Sequence, residues 1–309
     1  MRAPVNNIIA FSSVDGPGNR TAIFLQGCNF DCKYCHNPET RHMCWHCGTC
    51  LSGCPGGALS WDDSCCPEED ASLSQLRRGD VPVARHDDAS KSRRYVRFEP
   101  DKCCRCDACI SNCPHGASPR IRWLTPEETW ELAARQMPFI SGITVSGGEC
   151  TLYPEFLREL FKLAKRAGLS ALIDTNGTLD FRACPELLQV TDGIMLDIKA
   201  WDSAEHAALT GASNAQVLSN AVFLARLGKL TEVRAVIAPD WYDVRRNFRD
   251  MLETLAPLYA EHPFRLKLIK FRPQGVRAPY NAANPPSAAL MEELRQMALA
   301  QGFGDVVVS

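Results

Sequence analysis

The sequence has no long apolar run and no excess of charge of either sign. No stretch of the 309 residues approaches the roughly 20 apolar residues of a transmembrane helix. The N-terminus lacks the charged-then-apolar pattern of a signal peptide. Lysine and arginine number 34 against 36 aspartate and glutamate, so nothing indicates nucleic acid as a partner. These absences predict a cytoplasmic protein that acts on neither a membrane nor a nucleic acid.

Cysteine, by contrast, is abundant, with 16 residues in the chain. Without an export signal, so many thiols are better explained as metal ligands than as disulfides. A chain of 309 residues can bury a sizeable core, and it is long enough for one large domain and a small one.

Three cysteines lie close together near the N-terminus, namely Cys28, Cys32 and Cys35. Three thiolates can hold three irons of one cubane cluster and leave the fourth iron open, whereas four would close it into an electron carrier. An open metal position is where chemistry takes place. A structural zinc site is the alternative. Zinc prefers four ligands in two separated pairs, however, and His36 beside Cys35 is poorly placed as the fourth.

The spacing of the three cysteines, with Tyr34 before the last of them, resembles the radical S-adenosylmethionine (SAM) superfamily. This resemblance implies that the open iron binds the amino and carboxylate groups of SAM, and that Tyr34 belongs to the cofactor site. It also implies that one electron cleaves SAM to methionine and a 5'-deoxyadenosyl radical. Because oxygen destroys such exposed clusters, we expect an anaerobic setting.

The segment 15–20, Asp-Gly-Pro-Gly-Asn-Arg, precedes a predicted strand at 21–26 and the cysteine loop. On its own it would be an ordinary turn. In this position it resembles the glycyl-radical enzyme activating enzymes, which take one hydrogen from a glycine of a partner protein. The resemblance implies a glycyl-radical enzyme as protein substrate, a flavodoxin or ferredoxin as electron donor, and a monomeric chain.

Two further cysteine runs of the form C-x2-C-x2-C-x3-C-P lie within residues 41–118. This is the spacing of two-cluster bacterial ferredoxins, in which the fourth cysteine of each run ligates the other cluster. The first predicted ligand set, called set 1, is Cys44, Cys47, Cys50 and Cys113. The second, called set 2, is Cys103, Cys106, Cys109 and Cys54. Zinc fingers are the alternative, but the proline after the last cysteine of both runs argues against them.

Between the two runs, residues 68–94 are rich in Asp, Ser, Arg and Ala and show no apolar period, which predicts a surface loop. Cys65, Cys66 and Cys104 fall outside the motifs and are predicted to be bystanders.

From residue 125 onward, helix and strand signals alternate. The predicted helices are 125–136, 154–167, 214–227 and 287–300, and the predicted strands are 143–145, 169–173, 193–196, 230–237 and 264–271. With the strand at 21–26 they form about six βα units, fewer than the eight of a full barrel. The predicted fold is an α/β, partial (β/α)6 TIM-like barrel of the radical SAM type over residues 1–40 and 119–309. A ferredoxin-like 2x[4Fe-4S] domain is inserted at 41–118.

Polar residues follow successive predicted strands, at the end where barrels place their sites. They are Gly147, Gly148, Glu149, Asp174, Thr175, Asn176, Asp197, Lys199 and Arg234. The resemblance implies that the glycine-rich segment contacts the SAM amino group and that Lys199 or Arg234 meets the SAM carboxylate. The aspartates would hold ribose hydroxyls or a monovalent cation. Taken singly, each residue could also be a strand-end cap or a surface ion pair.

Two features depart from the best-known activating enzymes. Cys150 stands where that family commonly has proline, and it is either a packed thiol or a fourth cluster ligand. The last strand leads into residues 270–277, Lys-Phe-Arg-Pro-Gln-Gly-Val-Arg, instead of a Pro-Tyr-His segment. Together with the insert, this resembles the YjjW-type activases.

The predicted function is therefore that of a glycyl-radical enzyme activase with three [4Fe-4S] clusters and SAM. One alternative is a radical SAM enzyme that acts on a small molecule. Another is an electron-transfer protein with eight ferredoxin cysteines, although it leaves the three-cysteine motif and the strand-end carboxylates unexplained.

Overall fold

The computed structural model describes residues 1–63 and 95–309. The predicted loop at 68–94, together with Cys65 and Cys66, lies outside these residues. The strands are β1 (Ala3–Ser12), β2 (Arg20–Leu25), β3 (Leu59–Asp62), β4 (Tyr95–Phe98), β5 (Arg122–Leu124), β6 (Gly142–Gly147), β7 (Ser170–Thr175), β8 (Gly193–Asp197), β9 (Leu230–Ile237), β10 (Arg265–Lys270) and β11 (Val306–Val308). The helices are α1 (Ala108–Ser111), α2 (Pro126–Ala134), α3 (Pro154–Arg166), α4 (Pro185–Val190), α5 (Ser203–Thr210), α6 (Ala215–Arg226), α7 (Val244–Glu261) and α8 (Ala288–Ala300).

Nine of these strands form one sheet in the order β11-β10-β9-β8-β7-β6-β2-β1-β5. From β2 to β11 the neighbours are parallel, whereas β1 is antiparallel to both β2 and β5. The six predicted parallel strands are all present, so the α/β partial-barrel prediction is confirmed. The short β11 adds a seventh parallel strand that the sequence did not predict.

Local signals explain where the predicted helices begin and end. At the start of α2, Thr125 Oγ1 accepts from Glu128 N at 3.1 Å, and Thr125 N donates to Glu128 Oε2 at 2.7 Å. This reciprocal capping box satisfies two N–H groups that the helix cannot. Helix α3 buries Phe156, Leu160 and Phe161 against the sheet and is followed by Gly168, whose φ of 76° suits glycine.

Helix α7 is the main element that the sequence reading missed. It runs for 18 residues with Pro257 in its interior. Proline removes a backbone donor and normally interrupts a helix, so local propensity argues against one here. Burial of an apolar stripe that includes Phe248, Leu252 and Leu255 outweighs this cost.

The two faces of the parallel sheet differ in character. On β6, Ile143 and Val145 belong to the main hydrophobic core beneath the helices. Thr144 and Ser146 alternate with them and make polar contacts on the inner face, where Ser146 Oγ donates to Asp174 Oδ2 at 3.0 Å. The inner face of β6 is therefore polar.

The described residues of the insert, 41–63 and 95–118, lie outside this sheet. Within them β3 and β4 pair antiparallel, and a small core unites Cys50, Leu59, Val96 and Cys109. None of the helices in residues 1–63 and 95–309 has the length and apolarity required to span a membrane.

Candidate metal and cofactor site

The loop that carries Cys28, Cys32 and Cys35 begins where β2 ends. Gly27 adopts a φ of 98°, and a Cβ placed on it would lie 3.3 Å from Tyr153 Oη and 3.6 Å from Met43 Sδ. Only glycine fits this turn without strain, because the backbone is left-handed and neighbouring side chains close over it. The sharp turn directs the cysteine loop over the carboxyl ends of the parallel strands.

Backbone hydrogen bonds hold this loop from two sides. Cys28 N donates to Arg41 O at 2.9 Å, which joins the loop to the start of the insert. Asp31 N donates to Thr210 O at 2.8 Å, at the end of α5. The loop is therefore fixed by the protein's own main chain.

The three thiols of the loop lie close together. Cys32 is buried, while Cys28 and Cys35 are half-buried, and all 14 cysteines that the structure describes are free. Burial raises the pKa of Cys32 to about 11, and the Lys199 ammonium acts against this increase. Burial also raises the pKa of Cys28, with the charges of Glu149, Cys32 and Cys35 adding to the effect. The fold thus gathers the three predicted ligands in one place.

The same sulfur hydrogen bond recurs in all three cysteine motifs. The first cysteine of each motif accepts from the backbone N–H two residues later, with Phe30 on Cys28, His46 on Cys44 and Arg105 on Cys103, each at 3.4 Å. His46 and Arg105 have φ values of 51° and 56°, so both ferredoxin runs repeat the same unusual backbone. Hydrogen bonds to cysteine sulfur are a recurring feature of iron–sulfur sites. The donor arrangement therefore fits clusters.

Within the described residues, no group of three or more His, Cys, Asp or Glu side chains is arranged to hold a single metal ion. In a cubane each cysteine binds a different iron, so its ligands stand farther apart than those of one ion. The spacing of the described thiols is compatible with cluster ligands.

Set 2 lines one cavity of the insert. Its four cysteines surround this cavity together with residues that include Ala58, Phe98 and Arg120. Cys104 also lines the cavity, although no predicted motif includes it. This is the grouping that crossed ferredoxin ligation predicts.

The grouping of set 1 is indicated by the charges that surround Cys50. Burial raises the pKa of the Cys50 thiol to about 11, and the charges of Cys109, Cys113 and Cys47 add to the increase. Cys113 comes from the second run, so this proximity also agrees with crossed ligation. The influence of Cys109, which belongs to set 2, shows that the two sets adjoin.

Both carboxylate oxygens of Glu149 accept hydrogen bonds from within the protein, which the sequence did not indicate. Its Oε1 accepts from Thr151 N at 2.9 Å, Thr151 Oγ1 at 2.6 Å and Thr175 Oγ1 at 2.8 Å. Its Oε2 accepts from Asn176 N at 2.6 Å. Burial raises the pKa of Glu149, while these hydrogen bonds oppose the shift. The carboxylate ties the loop after β6 to the loop after β7.

The two glycines before Glu149 allow backbone to approach backbone. A Cβ on Gly147 would lie 2.1 Å from Leu25 O, and one on Gly148 would lie 2.3 Å from Gly27 O. The sequence reading expected these glycines to admit a ligand. In the structure the close neighbour at both positions is the end of β2 and the turn that follows it.

A charge network lies at the inner face near the ends of β7, β8 and β9. Arg234 donates from Nη1 to Asp174 Oδ2 at 2.7 Å and from Nε to Glu232 Oε1 at 2.5 Å. Burial lowers the pKa of Arg234, but Asp174, Asp197 and Glu232 raise it above its ordinary value. The guanidinium therefore stays charged and compensates the buried carboxylates.

Lys199 connects this network with the cysteine loop. Its Nζ lies 2.6 Å from Asp197 Oδ2 and 5.8 Å from the centre of the Tyr34 ring. Burial lowers the pKa of Lys199, but Asp197 and the thiolates of Cys32 and Cys35 raise it, and the net shift is upward. An ammonium beside two of the predicted cluster ligands can bind a carboxylate at that position.

Asn176 lies against the other side of the cysteine loop. Its Nδ2 donates to Asn29 Oδ1 at 2.9 Å and lies 3.9 Å from Cys28 Sγ. Asn29 in turn donates to Thr178 Oγ1 at 2.8 Å. The sequence reading missed Asn29, since nothing local indicates a partner about 150 residues away.

Cys150 is a fully buried thiol in the main core. Its Sγ donates to Val145 O and to Asp174 O, both at 3.3 Å. These contacts correspond to the packed-thiol alternative rather than to a fourth cluster ligand.

Asp31 in the cysteine loop forms ion pairs with Arg41 and Arg277. Arg41 lies at the start of the insert, and Arg277 lies after β10. The sequence reading missed this clamp as well, because Arg277 is remote from Asp31 and Arg41 in the chain.

Three family models match the chain. Residues 102–252 match the radical SAM superfamily, residues 43–117 match a 4Fe-4S dicluster domain, and residues 14–54 match a 4Fe-4S single cluster domain. The predicted combination of a radical SAM barrel and a ferredoxin-like insert is thus confirmed.

Curated relatives extend the match to most of the chain. The choline trimethylamine-lyase activating enzyme of Oleidesulfovibrio alaskensis is 28% identical and covers 89% of this chain and 85% of its own. The pyruvate formate-lyase-activating enzyme of Streptococcus mutans is 28% identical and covers 92% and 86%. Among solved structures, SuiB of Streptococcus suis aligns with a TM-score of 0.50 at 13% identity, over 60% of this chain and 43% of its own, a likeness of fold alone.

Proposed function

We propose that the chain installs a glycyl radical on a partner enzyme, because residues 102–252 match the radical SAM superfamily and the chain is similar over most of its length to glycyl-radical enzyme activating enzymes. The observation that carries this proposal is the three-cysteine loop placed beside the buried ammonium of Lys199. An electron carrier has no need of a cationic pocket at an open iron.

We assign Cys28, Cys32 and Cys35 to a [4Fe-4S] cluster with one open iron. With SAM bound, this site supplies the reductive cleavage that yields methionine and the 5'-deoxyadenosyl radical, which takes a hydrogen from the partner's glycine. The protein's part is to hold the loop still. Main-chain bonds to Arg41 and Thr210 fix its position, and Cys32 is buried.

For SAM itself, we propose that Lys199 binds the carboxylate and that Tyr34, packed beside Lys199, shapes the same pocket. The backbone of Gly147 and Gly148 would face the amino group of SAM. Glu149 would act indirectly, since its oxygens already hold Thr151, Thr175 and Asn176.

Asp174 and Asp197 would face the ribose hydroxyls or a monovalent cation. Each already has a cationic partner, Arg234 for Asp174 and Lys199 for Asp197. Arg234 would therefore act chiefly by compensating buried carboxylates.

The partner's glycine would be presented at the inner face of the barrel. Asp15 lies there, since its carbonyl accepts from Thr144 Oγ1 at 2.6 Å and its charge acts on Asp174. We propose Asp15 as an anchor for the backbone of the partner's glycine loop. The relatives act on different lyases, so similarity to them does not identify the partner.

Sets 1 and 2 would hold two further [4Fe-4S] clusters, three in all. We propose that electrons from a flavodoxin or ferredoxin pass through them to the cysteine loop. Set 1 adjoins this loop, because Met43, next to Cys44, packs against Gly27. Set 2 includes the exposed Cys106. We further propose that the protein works as a monomer in an anaerobic cytoplasm.

The test is to incubate the reduced protein with SAM and a candidate glycyl-radical enzyme from the same organism. We expect 5'-deoxyadenosine together with a glycyl signal in electron paramagnetic resonance. Deuterium on the α-carbon of the partner's glycine should appear in the deoxyadenosine. Deuterium arriving only from an added metabolite would establish the small-molecule alternative. Absence of SAM cleavage by fully loaded protein under dithionite would leave only electron transfer.

A further inference from the structure

Several large apolar side chains are exposed together at one edge of the barrel. Phe139 is 68% exposed, Val14 67% and Phe11 49%. The rings of Phe11 and Phe139 meet edge to face with centroids 6.2 Å apart. We call the exposed group Ile9, Phe11, Val14, Met137 and Phe139 the apolar rim. Exposed apolar side chains that lie together in this way commonly mark an interaction site.

The apolar rim is built from three neighbouring segments. Ile9 and Phe11 are two residues apart on β1 and so share one face of that strand. Met137 and Phe139 lie in one helical turn before β6. Asn19 joins these segments, because its Nδ2 donates to Phe139 O at 2.6 Å. The rim is therefore held in place by a defined scaffold.

The rim is continuous with the inner face of the barrel. Val14 belongs to it and directly precedes Asp15, whose carbonyl is bound by Thr144 on β6. Lys267 on β10 reaches the same turn, with its Nζ 3.5 Å from Val14 O. The turn thus connects an exposed apolar surface with the polar interior where Asp15 and Asp174 lie.

We propose that the apolar rim is the docking surface for the partner enzyme, on the part of the partner that flanks its glycine loop. This proposal rests on the proposed function. Apolar contacts on the rim would supply binding energy that holds the partner's glycine loop at the inner face. The inner face carries the ion pair of Asp174 and Arg234, whereas the rim consists of apolar side chains. Aromatic side chains in a desolvated contact are the usual source of such energy.

The test compares Phe139→Glu with Leu227→Glu. Leu227 is 48% exposed and follows α6, outside the apolar rim, so it controls for the loss of an exposed apolar side chain and the added charge. We expect Phe139→Glu to weaken binding of the partner enzyme by about tenfold or more, the scale of an aromatic anchor. Glycyl radical formation should fall in parallel at a fixed, subsaturating partner concentration. Cleavage of SAM without the partner should be unchanged, because Phe139 touches none of the site residues.

Phe139→Ala and Phe11→Gln serve as milder variants in case the charged one folds poorly, and each should weaken binding by a smaller factor. Unchanged partner affinity in all three rim variants would overturn the proposal, even if the wild-type protein forms the glycyl radical. A wild-type dimer that Phe139→Glu converts to a monomer would also overturn it, since the rim would then bind a second copy. Failure of the wild-type protein to form any glycyl radical would instead contradict the proposed function.

Discussion

The cysteine loop of the barrel and the two cysteine runs of the insert hold sulfur in a similar local way but in different surroundings. In both, a backbone N–H two residues along the chain binds the first thiol. Cys32, however, belongs to a main core that includes residues of β2 and α8, whereas the insert core, among the described residues, unites Cys50, Leu59, Val96 and Cys109. Two of those four are predicted ligands.

From this difference we expect the barrel to form its cysteine loop without metal, and we expect the insert to need metal in order to fold. The barrel can fold around its own apolar core and then offer a prepared loop. Within the described residues the insert core is small and half of it consists of predicted ligands, so we expect the insert to draw folding energy from bound clusters. The four predictions below test this contrast, from the largest expected effect to the smallest.

Replacing Cys32 by alanine should abolish SAM cleavage while the insert clusters survive. Loss of one of three ligands removes the only cluster with an open iron. Iron content should fall from about 12 to about 8 atoms per chain, on the assumption of three cubanes. Anaerobic reconstitution, iron analysis and a SAM cleavage assay under dithionite measure this. Iron near four in the fully loaded wild-type protein would contradict the assignment of sets 1 and 2.

Removing all iron with a chelator should unfold the insert and leave the barrel folded. Hydrogen exchange should become fast across residues 44–63 and 95–113, while β6 to β9 stay protected, because their core needs no metal. Mass spectrometry of peptides from the same sample provides an internal control. Equal loss of protection in both regions would show that the barrel also depends on its cluster.

Replacing Cys106 by alanine should have the converse effect of Cys32→Ala. Set 2 loses one exposed ligand, and the barrel site keeps all three of its own. SAM cleavage should persist with dithionite, which reaches the barrel site directly, and should slow with a protein donor. If the rate with the protein donor equals that of wild type, the insert is not an obligatory electron path.

Replacing Glu149 by glutamine should destabilise the barrel by about 1–3 kcal/mol, the range for a buried donor left without its acceptor. The amide would place an N–H opposite a donor, either Asn176 N or the Thr175 hydroxyl. Urea unfolding of iron-free protein, followed by a barrel-specific signal, measures the effect. The exposed Glu131→Gln is the matched control and should change little. An equally small effect at Glu149 would mean that the network carries no stability.

Some of the site was predictable because its signals are local. The cysteine spacings depend on a few neighbouring residues, and so does the capping box at Thr125. Each strand or helix signal from residue 125 onward follows from the spacing of apolar residues within a single segment. For these features the chain needs no distant partner to reveal its structure.

Other features could not be predicted because their partners are remote. The clamp on Asp31 joins residues 31, 41 and 277, and Asn29 meets Asn176 across the sheet. Helix α7 contains a proline that local rules disfavour, and tertiary burial overrides this. Contacts of this kind depend on the register of parallel strands.

The amino-acid sequence by itself determined the kind of chemistry, because ligand type and spacing are properties of a short segment. Only the tertiary structure decided which partners the surrounding residues bind. Glu149 looked available to a ligand in the sequence, yet folding brings Thr151, Thr175 and Asn176 to its oxygens. Buried polar groups need hydrogen-bond partners within the protein, so they bind the nearest donors in space. The fold determines which donors those are.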